Sequence, residues 1–169
     1  MIQKKVCLIG VFGVGKTSLV KQYVHSLFSV KYHSTVGVKI DRKSVEVDGE
    51  EVTLVLWDIA GKDAEEDIPA SYIRGAHAVI FVVDGTRRET WEELPTLTQL
   101  VQNTVGVIPM VVALNKSDIP EQWVMRPDEE QRVMSQWDVV RTSAKTGLGV
   151  EEVFQRIARG ALGKPTATS

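Results

Sequence analysis

The chain has 169 residues, of which 43% are hydrophobic and 25% are charged, and its formal net charge is −2. This length and composition suit one globular domain and do not favour disorder. The single cysteine excludes an internal disulfide and argues against a structural zinc site, and the charge balance gives no general attraction to nucleic acid or anionic lipid.

The first predicted strand, residues 5–10, is an apolar run in which Cys7 serves as a small buried hydrophobe. The following residues, GVFGVGKT at 10–17, fit the pattern G-x-x-x-x-G-K-[ST] before a predicted helix at 16–26. Glycines let backbone N–H groups wrap around phosphate oxygens, and the helix N-terminus adds partial positive charge. Lys16 would reach the β- and γ-phosphates and Thr17 would offer a hydroxyl to Mg²⁺. The pattern predicts a nucleotide site but does not name the base.

The middle of the chain is predicted to alternate between strands and helices. An Asp48-Gly49 turn between two strand-like runs indicates a β-hairpin, so one strand is antiparallel. The second run, at 52–58, leads into an Asp-x-Ala-Gly turn. A helix at 65–75, a strand at 78–84 and a helix at 88–103 are predicted to follow.

Two polar turns follow the last predicted strands. The strand at 109–115 ends in Asn-Lys-Ser-Asp, and the carboxylate of Asp118 can accept two hydrogen bonds from N1–H and the 2-amino group of guanine. Adenine lacks this pair of donors. A short strand at 138–140 precedes a Ser-Ala-Lys turn at 143–145, which can aim a backbone N–H at guanine O6. Either turn alone could be ordinary, but their order after the phosphate pattern favours a guanine nucleotide.

Helices at 128–136 and 150–160 complete the alternation of strands and helices. This order predicts an α/β fold, with a mixed, mostly parallel six-stranded sheet and helices on both faces. Ligands of such sheets bind beyond the carboxyl ends of the strands. The loops after residues 9, 58, 84, 115 and 142 are therefore the expected site.

Taken together, these motifs resemble the Ras superfamily of small GTPases over about residues 3–162. The segments that look most like its Rab branch are TVGVKI (35–40), WDIAGK (57–62), YIRGAHAVIFVVD (72–84) and TRRETWEEL (86–94). The resemblance implies a phosphate-loop G domain at residues 1–163 and a flexible tail at 164–169. It also implies a switch between GTP and GDP states in signal transduction or vesicle trafficking.

The resemblance implies roles for individual residues. Those expected to contact GTP or GDP are Gly13, Val14, Gly15, Lys16, Thr17, Ser18, Phe28, Thr35, Gly61, Asn115, Lys116, Asp118, Ser143, Ala144 and Lys145. Those expected to hold Mg²⁺ are Thr17, Thr35 and, through water, Asp58. Those expected to serve hydrolysis are Lys16, Thr35, Gly61 and Lys62. The alternatives are a plain core aromatic for Phe28 and an inconsequential threonine at the start of a strand for Thr35.

The resemblance also implies that effectors, an exchange factor and an activating protein bind two switch regions, 28–38 and 59–73. Trp57 and Tyr72 match two aromatics of the Rab effector surface, whereas Ile40 stands where a third aromatic is usual. Ordinary packing of Trp57 and Tyr72 is the alternative. No nucleic-acid partner is expected. The expected location is cytoplasmic or peripheral at a membrane. Because no C-terminal cysteine is present for prenylation, membrane association would be indirect or through a tail missing here.

Three departures from the family bear on activity. Lys62 replaces the usual glutamine, and a protonated lysine cannot accept a hydrogen bond from the attacking water. Phe12 replaces a small residue, so it would either crowd the γ-phosphate or turn outward. An acidic patch at 63–67 either stabilises a helix N-terminus or docks a basic partner. The patch consists of Asp63, Glu65, Glu66 and Asp67.

Overall fold

The computed structural model describes residues 2–26, 37–61 and 68–167. The strands in these ranges are β1 (Ile2–Ile9), β2 (Val38–Val47), β3 (Glu50–Ile59), β4 (Ala78–Asp84), β5 (Met110–Asn115) and β6 (Asp138–Arg141). They form one sheet in the order β2-β3-β1-β4-β5-β6. β2 is antiparallel to β3, and the other neighbouring pairs are parallel. The prediction of a mixed, mostly parallel six-stranded sheet is confirmed.

The helices lie between the strands, as predicted. Those in the described ranges are α1 (Lys16–His25), α2 (Ala70–Ile73), α3 (Arg88–Glu92), α4 (Leu94–Val105), α5 (Pro127–Met134) and α6 (Val150–Ala161). A short 3₁₀ helix, Pro120–Gln122, follows β5 and was not predicted. No helix in the described ranges reaches the length and apolarity that a membrane crossing requires.

The hydrophobic core lies on both faces of the sheet. All of β4 is buried, and its side chains alternate between two apolar clusters. Ile80 packs in the cluster that contains the stacked rings of Tyr23 and Phe154, from α1 and α6, whose centroids are 3.9 Å apart. Phe81 packs in the cluster that contains residues of α3, α4 and α5. A central parallel strand covered on both faces explains the unbroken apolar run in the sequence.

Cys7 lies in β1 and is fully buried, in agreement with its interpretation as a small hydrophobe. Burial raises the pKa of its thiol to about 11, so the thiolate that reacts with oxidants and metals is disfavoured near neutral pH.

The helix predicted at 65–75 is shorter in the structure. Residues 62–67 lie outside the described ranges, and Pro69 has extended backbone angles immediately before α2. Proline disfavours the helical conformation for the residue before it, so Ile68 is not helical. Gly75, with φ of 77°, follows the other end of the helix. Together, Pro69 and Gly75 restrict α2 to one turn.

The single helix predicted at 88–103 is two helices, α3 and α4, which meet at Glu93. Pro95 lies in the first turn of α4. It has no N–H to donate to the preceding turn, and a helix tolerates proline best at its start. A new helix therefore begins beside Pro95, and the helical periodicity on both sides of it concealed this break.

The end of α6 lies against the β2–β3 turn. Arg159 and Lys164 both pair with Asp48 of this turn, the Lys164 Nζ–Asp48 Oδ2 distance being 2.9 Å. The side chain of Arg159 also donates to the carbonyl of Pro165. The division into a domain at 1–163 and a flexible tail at 164–169 stays a prediction.

Candidate functional site: a phosphate loop and two base loops at one sheet edge

The phosphate loop (residues 10–17) leaves β1 and turns directly into α1. Gly13 and Gly15 have φ of 81° and 103°, conformations that residues with a Cβ rarely adopt. Gly15 caps α1, so the unpaired N–H groups of the first turn face the loop. A backbone of this shape, ending at a helix N-terminus, suits an anion such as a phosphate chain.

Lys16 is buried within the phosphate loop. Its ammonium donates to the carbonyls of Gly10 and Val11, each at 3.3 Å. Burial lowers its pKa to about 8, and the nearby charge of Asp58 offsets part of that shift. The ammonium is thus held inside the loop and loses its proton at a lower pH than an exposed lysine does.

This pKa predicts proton uptake when nucleotide binds. The phosphates of GDP would raise the pKa of Lys16 well above 8, so binding at pH 8 should take up about half a proton. Above this pH the empty site loses its charge, and affinity should fall about tenfold between about pH 7 and about pH 9. Calorimetric titration with GDP in two buffers of different ionisation enthalpy measures the uptake. Binding at pH 8 without proton uptake would contradict the prediction.

The residues expected to hold Mg²⁺ meet where α1 begins and β3 ends. The hydroxyl of Thr17 donates to Oδ2 of Asp58 at 2.5 Å, and the Asp58 side chain is buried. A hydroxyl and a carboxylate beside the phosphate loop are the hard oxygen ligands that Mg²⁺ prefers, so this pair fits the ion. Thr35, the third expected ligand, lies outside the described residues.

The first base loop (residues 115–118) follows β5 and is bonded to the phosphate loop. The amide of Asn115 donates to the Val14 carbonyl at 2.9 Å, and its oxygen accepts from the hydroxyl of Thr142 at 3.1 Å. Lys116 donates to the Gly13 carbonyl at 3.1 Å and pairs with buried Asp84 at 2.8 Å. The base loop and the phosphate loop thus form one connected unit.

The second base loop (residues 143–148) follows β6 and is bonded to the first. Ser143 donates through Oγ to Oδ1 of Asp118 at 2.8 Å, while the same Oγ accepts from the N–H of Thr146. Ala144 is buried and Lys145 is exposed. The two turns predicted to surround guanine therefore lie together, with the Asp118 carboxylate fixed by one of its oxygens.

Two residues of this region escaped the sequence prediction. Asp84 is fully buried and pairs with Lys116, and Thr142 connects the second base loop to Asn115. A charged residue at the end of an otherwise apolar strand was the available signal for Asp84. Thr142 offered no comparable signal, because its partner is 27 residues away in the chain.

The switch regions are described only in part. Phe28, Thr35, Lys62 and the acidic patch fall outside the described residues, so their predicted roles stay predictions. Gly61 is described, and a Cβ placed on it would lie 2.4 Å from Cα of Phe12. The Phe12 residue is 45% exposed. The start of the second switch region thus lies directly against the phosphate loop.

The residues compared with an effector surface lie on neighbouring elements, with Ile40 on β2, Trp57 on β3 and Tyr72 in α2. Trp57 and Tyr72 pack against the apolar cluster that contains residues of α3, α4 and α5, and Ile40 is exposed opposite Trp57 on β2. Lys5 places its ammonium 3.6 Å from the Trp57 ring centroid and donates to the Arg74 carbonyl. The packing and surface interpretations of Trp57 and Tyr72 are therefore compatible.

The family comparison agrees with this geometry. The Ras family model matches residues 5–162, which include the phosphate loop, both base loops and all of the sheet except the first residues of β1. Ras family proteins are GTPases that bind guanine nucleotide, generally with Mg²⁺, and interact with regulators and effectors. A match over nearly the whole chain, together with these connected loops, shows that the protein belongs to the Ras family of small GTPases.

Proposed function

We propose that this small GTPase is a Rab-like, Mg²⁺-dependent switch with slow intrinsic hydrolysis. The observation that best supports guanine nucleotide as its ligand is the bonding of both base loops to one another and to the phosphate loop, through Ser143–Asp118 and Asn115–Val14. The Rab-like assignment rests on sequence segments such as WDIAGK at 57–62 and on the Trp57 and Tyr72 pair.

The proposed mechanism is in-line attack of water on the γ-phosphate, without a covalent enzyme intermediate. Lys16 would bind the β- and γ-phosphates, and the N–H of Gly61 would donate to the γ-phosphate. Thr17, Thr35 and Asp58 would hold Mg²⁺, whose charge supports the developing negative charge on the phosphate oxygens. Asp118 would select guanine, with Ala144 and Lys145 enclosing the base.

Slow hydrolysis is proposed because of Lys62. A glutamine at this position both accepts from and donates to the attacking water, whereas a protonated lysine only donates. The rate should therefore be at or below that of a Ras protein with its glutamine, about 3–5 × 10⁻⁴ s⁻¹. The alternative function is a GTP-binding scaffold that does not hydrolyse GTP and is controlled by nucleotide exchange and partner binding.

The nucleotide retained by the purified protein distinguishes these functions: mostly GDP indicates turnover, and mostly GTP indicates the scaffold. Single-turnover hydrolysis of the wild type and Lys62→Gln then tests the role of Lys62. We expect the variant to be several-fold faster, approaching the scale of about 10⁻⁴ s⁻¹. Lys164→Gln, which follows α6 and removes a lysine paired with Asp48 of the remote β2–β3 turn, is the control and should not change the rate. Equal rates for the wild type and Lys62→Gln would exclude a rate-limiting role for Lys62.

Partners are proposed to bind through residues 28–38 and 59–73, as in other switch proteins. The acidic patch at 63–67 would favour a basic partner, whose binding should then weaken at high salt. A cytoplasmic location, with peripheral membrane association, is part of the same proposal.

A further inference from the structure

Arg87 bonds to the phosphate loop from outside the four nucleotide motifs. It follows β4, and its Nη1 donates to the carbonyl of Phe12 at 2.9 Å, across 75 positions of sequence. Its Nε donates to Glu89 at 3.0 Å, which orients the guanidinium. The side chain is 35% exposed. The guanidinium donor makes the bond to the Phe12 carbonyl a charge-assisted hydrogen bond.

The backbone of Arg87 is itself held in place. Its N–H donates to the carbonyl of Asp84 at 3.0 Å, and its carbonyl accepts from the buried hydroxyl of Thr90 at 2.7 Å. Asp84 also accepts from the N–H and hydroxyl of Thr86 and pairs with Lys116. The guanidinium therefore extends from a fixed turn, and its bond constrains the phosphate loop.

The residue whose carbonyl Arg87 holds is also the residue that Gly61 approaches. A Cβ on Gly61 would lie 2.4 Å from Cα and 2.6 Å from N of Phe12, distances that leave no space for any side chain. The backbone segments of Phe12 and Gly61 are thus in direct contact. A shift of Phe12 must then change the position available to Gly61.

We propose that Arg87 is a positioning residue that sets the preference for GTP over GDP. By fixing the Phe12 carbonyl, it holds the part of the phosphate loop against which Gly61 closes. This inference rests on the proposed function, in which the Gly61 N–H contacts the γ-phosphate. GDP lacks that group and would remain held by Lys16, Thr17 and the base loops.

Dissociation of GTP and GDP from Arg87→Met, measured with fluorescent nucleotides, tests the proposal. We expect GTP release to accelerate about tenfold relative to GDP release, the effect of losing one charge-assisted hydrogen bond. Arg87→Lys should recover part of the preference. Glu89→Gln removes the carboxylate charge that orients Arg87. It should change the ratio of GTP release to GDP release in the same direction as Arg87→Met, but by less. Arg126→Met, which removes an exposed arginine paired with Asp128, is the control and should leave the ratio unchanged.

The outcomes separate this inference from the proposed function. An unchanged release ratio in Arg87→Met, or equal acceleration for both nucleotides, would overturn the role of Arg87 while leaving a GTP-binding switch intact. If Arg87→Met does not fold, unchanged ratios in both Arg87→Lys and Glu89→Gln overturn it. A wild-type protein that binds neither nucleotide would instead overturn the proposed function.

Discussion

Replacing Gly15 with alanine should destabilise the protein by about 2–5 kcal/mol and lower its affinity for guanine nucleotide at least about 100-fold. Gly15 has φ of 103°, and a Cβ there would lie 2.4 Å from Nδ2 of Asn115. That nitrogen donates to the Val14 carbonyl, so relief of the clash requires breaking the bond between the base loop and the phosphate loop. Denaturant unfolding measures the stability, and equilibrium titration with GDP measures the affinity.

Gly75→Ala is the matched control for this substitution. Gly75 also has a positive φ, 77°, but nothing lies within 4 Å of the position that its Cβ would take. The control should lose only about 1–2 kcal/mol of unfolding free energy, the cost of a positive φ for alanine, and should bind GDP as the wild type does. Similar losses of stability and affinity in both variants would show that the contact with Asn115 is unimportant.

The substitution Asp118→Asn should change the base preference of the site from guanine to xanthine. The asparagine oxygen can still accept from guanine N1–H, but its amide would face the 2-amino group, donor against donor. Loss of charge-assisted bonds worth about 3–6 kcal/mol in total should weaken GDP binding by about 100- to 10,000-fold. Xanthine carries an oxygen in place of that amino group, and this oxygen can accept from the asparagine amide. Xanthosine diphosphate (XDP) should therefore bind the variant better than it binds the wild type.

Titrations of GDP and XDP with both proteins measure this exchange. Asparagine is close in shape to aspartate and can still accept from Ser143, so the fold should be preserved. Glu121→Gln, which removes an exposed carboxylate three positions away, controls for the loss of charge and should keep the wild-type preference. Equal weakening of GDP and XDP binding would contradict direct recognition of the base by Asp118.

The central strands of the sheet were predictable because they are largely buried on both faces. β4 shows this most clearly, since a run of seven buried residues leaves no ambiguity with a surface helix. The predicted helices at 65–75 and 88–103 were wrong in their bounds. In each case the apolar pattern continues past a proline at which the helix of the structure begins. Pro69 and Pro95 are visible in the sequence, but their effect depends on whether tertiary packing supports the helix beyond them.

The candidate site was predictable where its residues belong to contiguous motifs. The structure places Lys16, Asn115 and Asp118 at one edge of the sheet, in loops that are bonded together, and their roles toward nucleotide stay predictions. Asp84 and Arg87 were missed as partners of these loops, because they act through distant contacts with Lys116 and the Phe12 carbonyl. Such contacts depend on which strand ends are neighbours, and a linear pattern does not contain that information.

The bonds from Asn115 and Lys116 to the carbonyls of Val14 and Gly13 have a thermodynamic consequence. We expect the subsites for guanosine and for the phosphate chain to be coupled, because the loops that line them are bonded to one another. A substitution that disturbs either loop should therefore weaken the binding of both halves of the nucleotide.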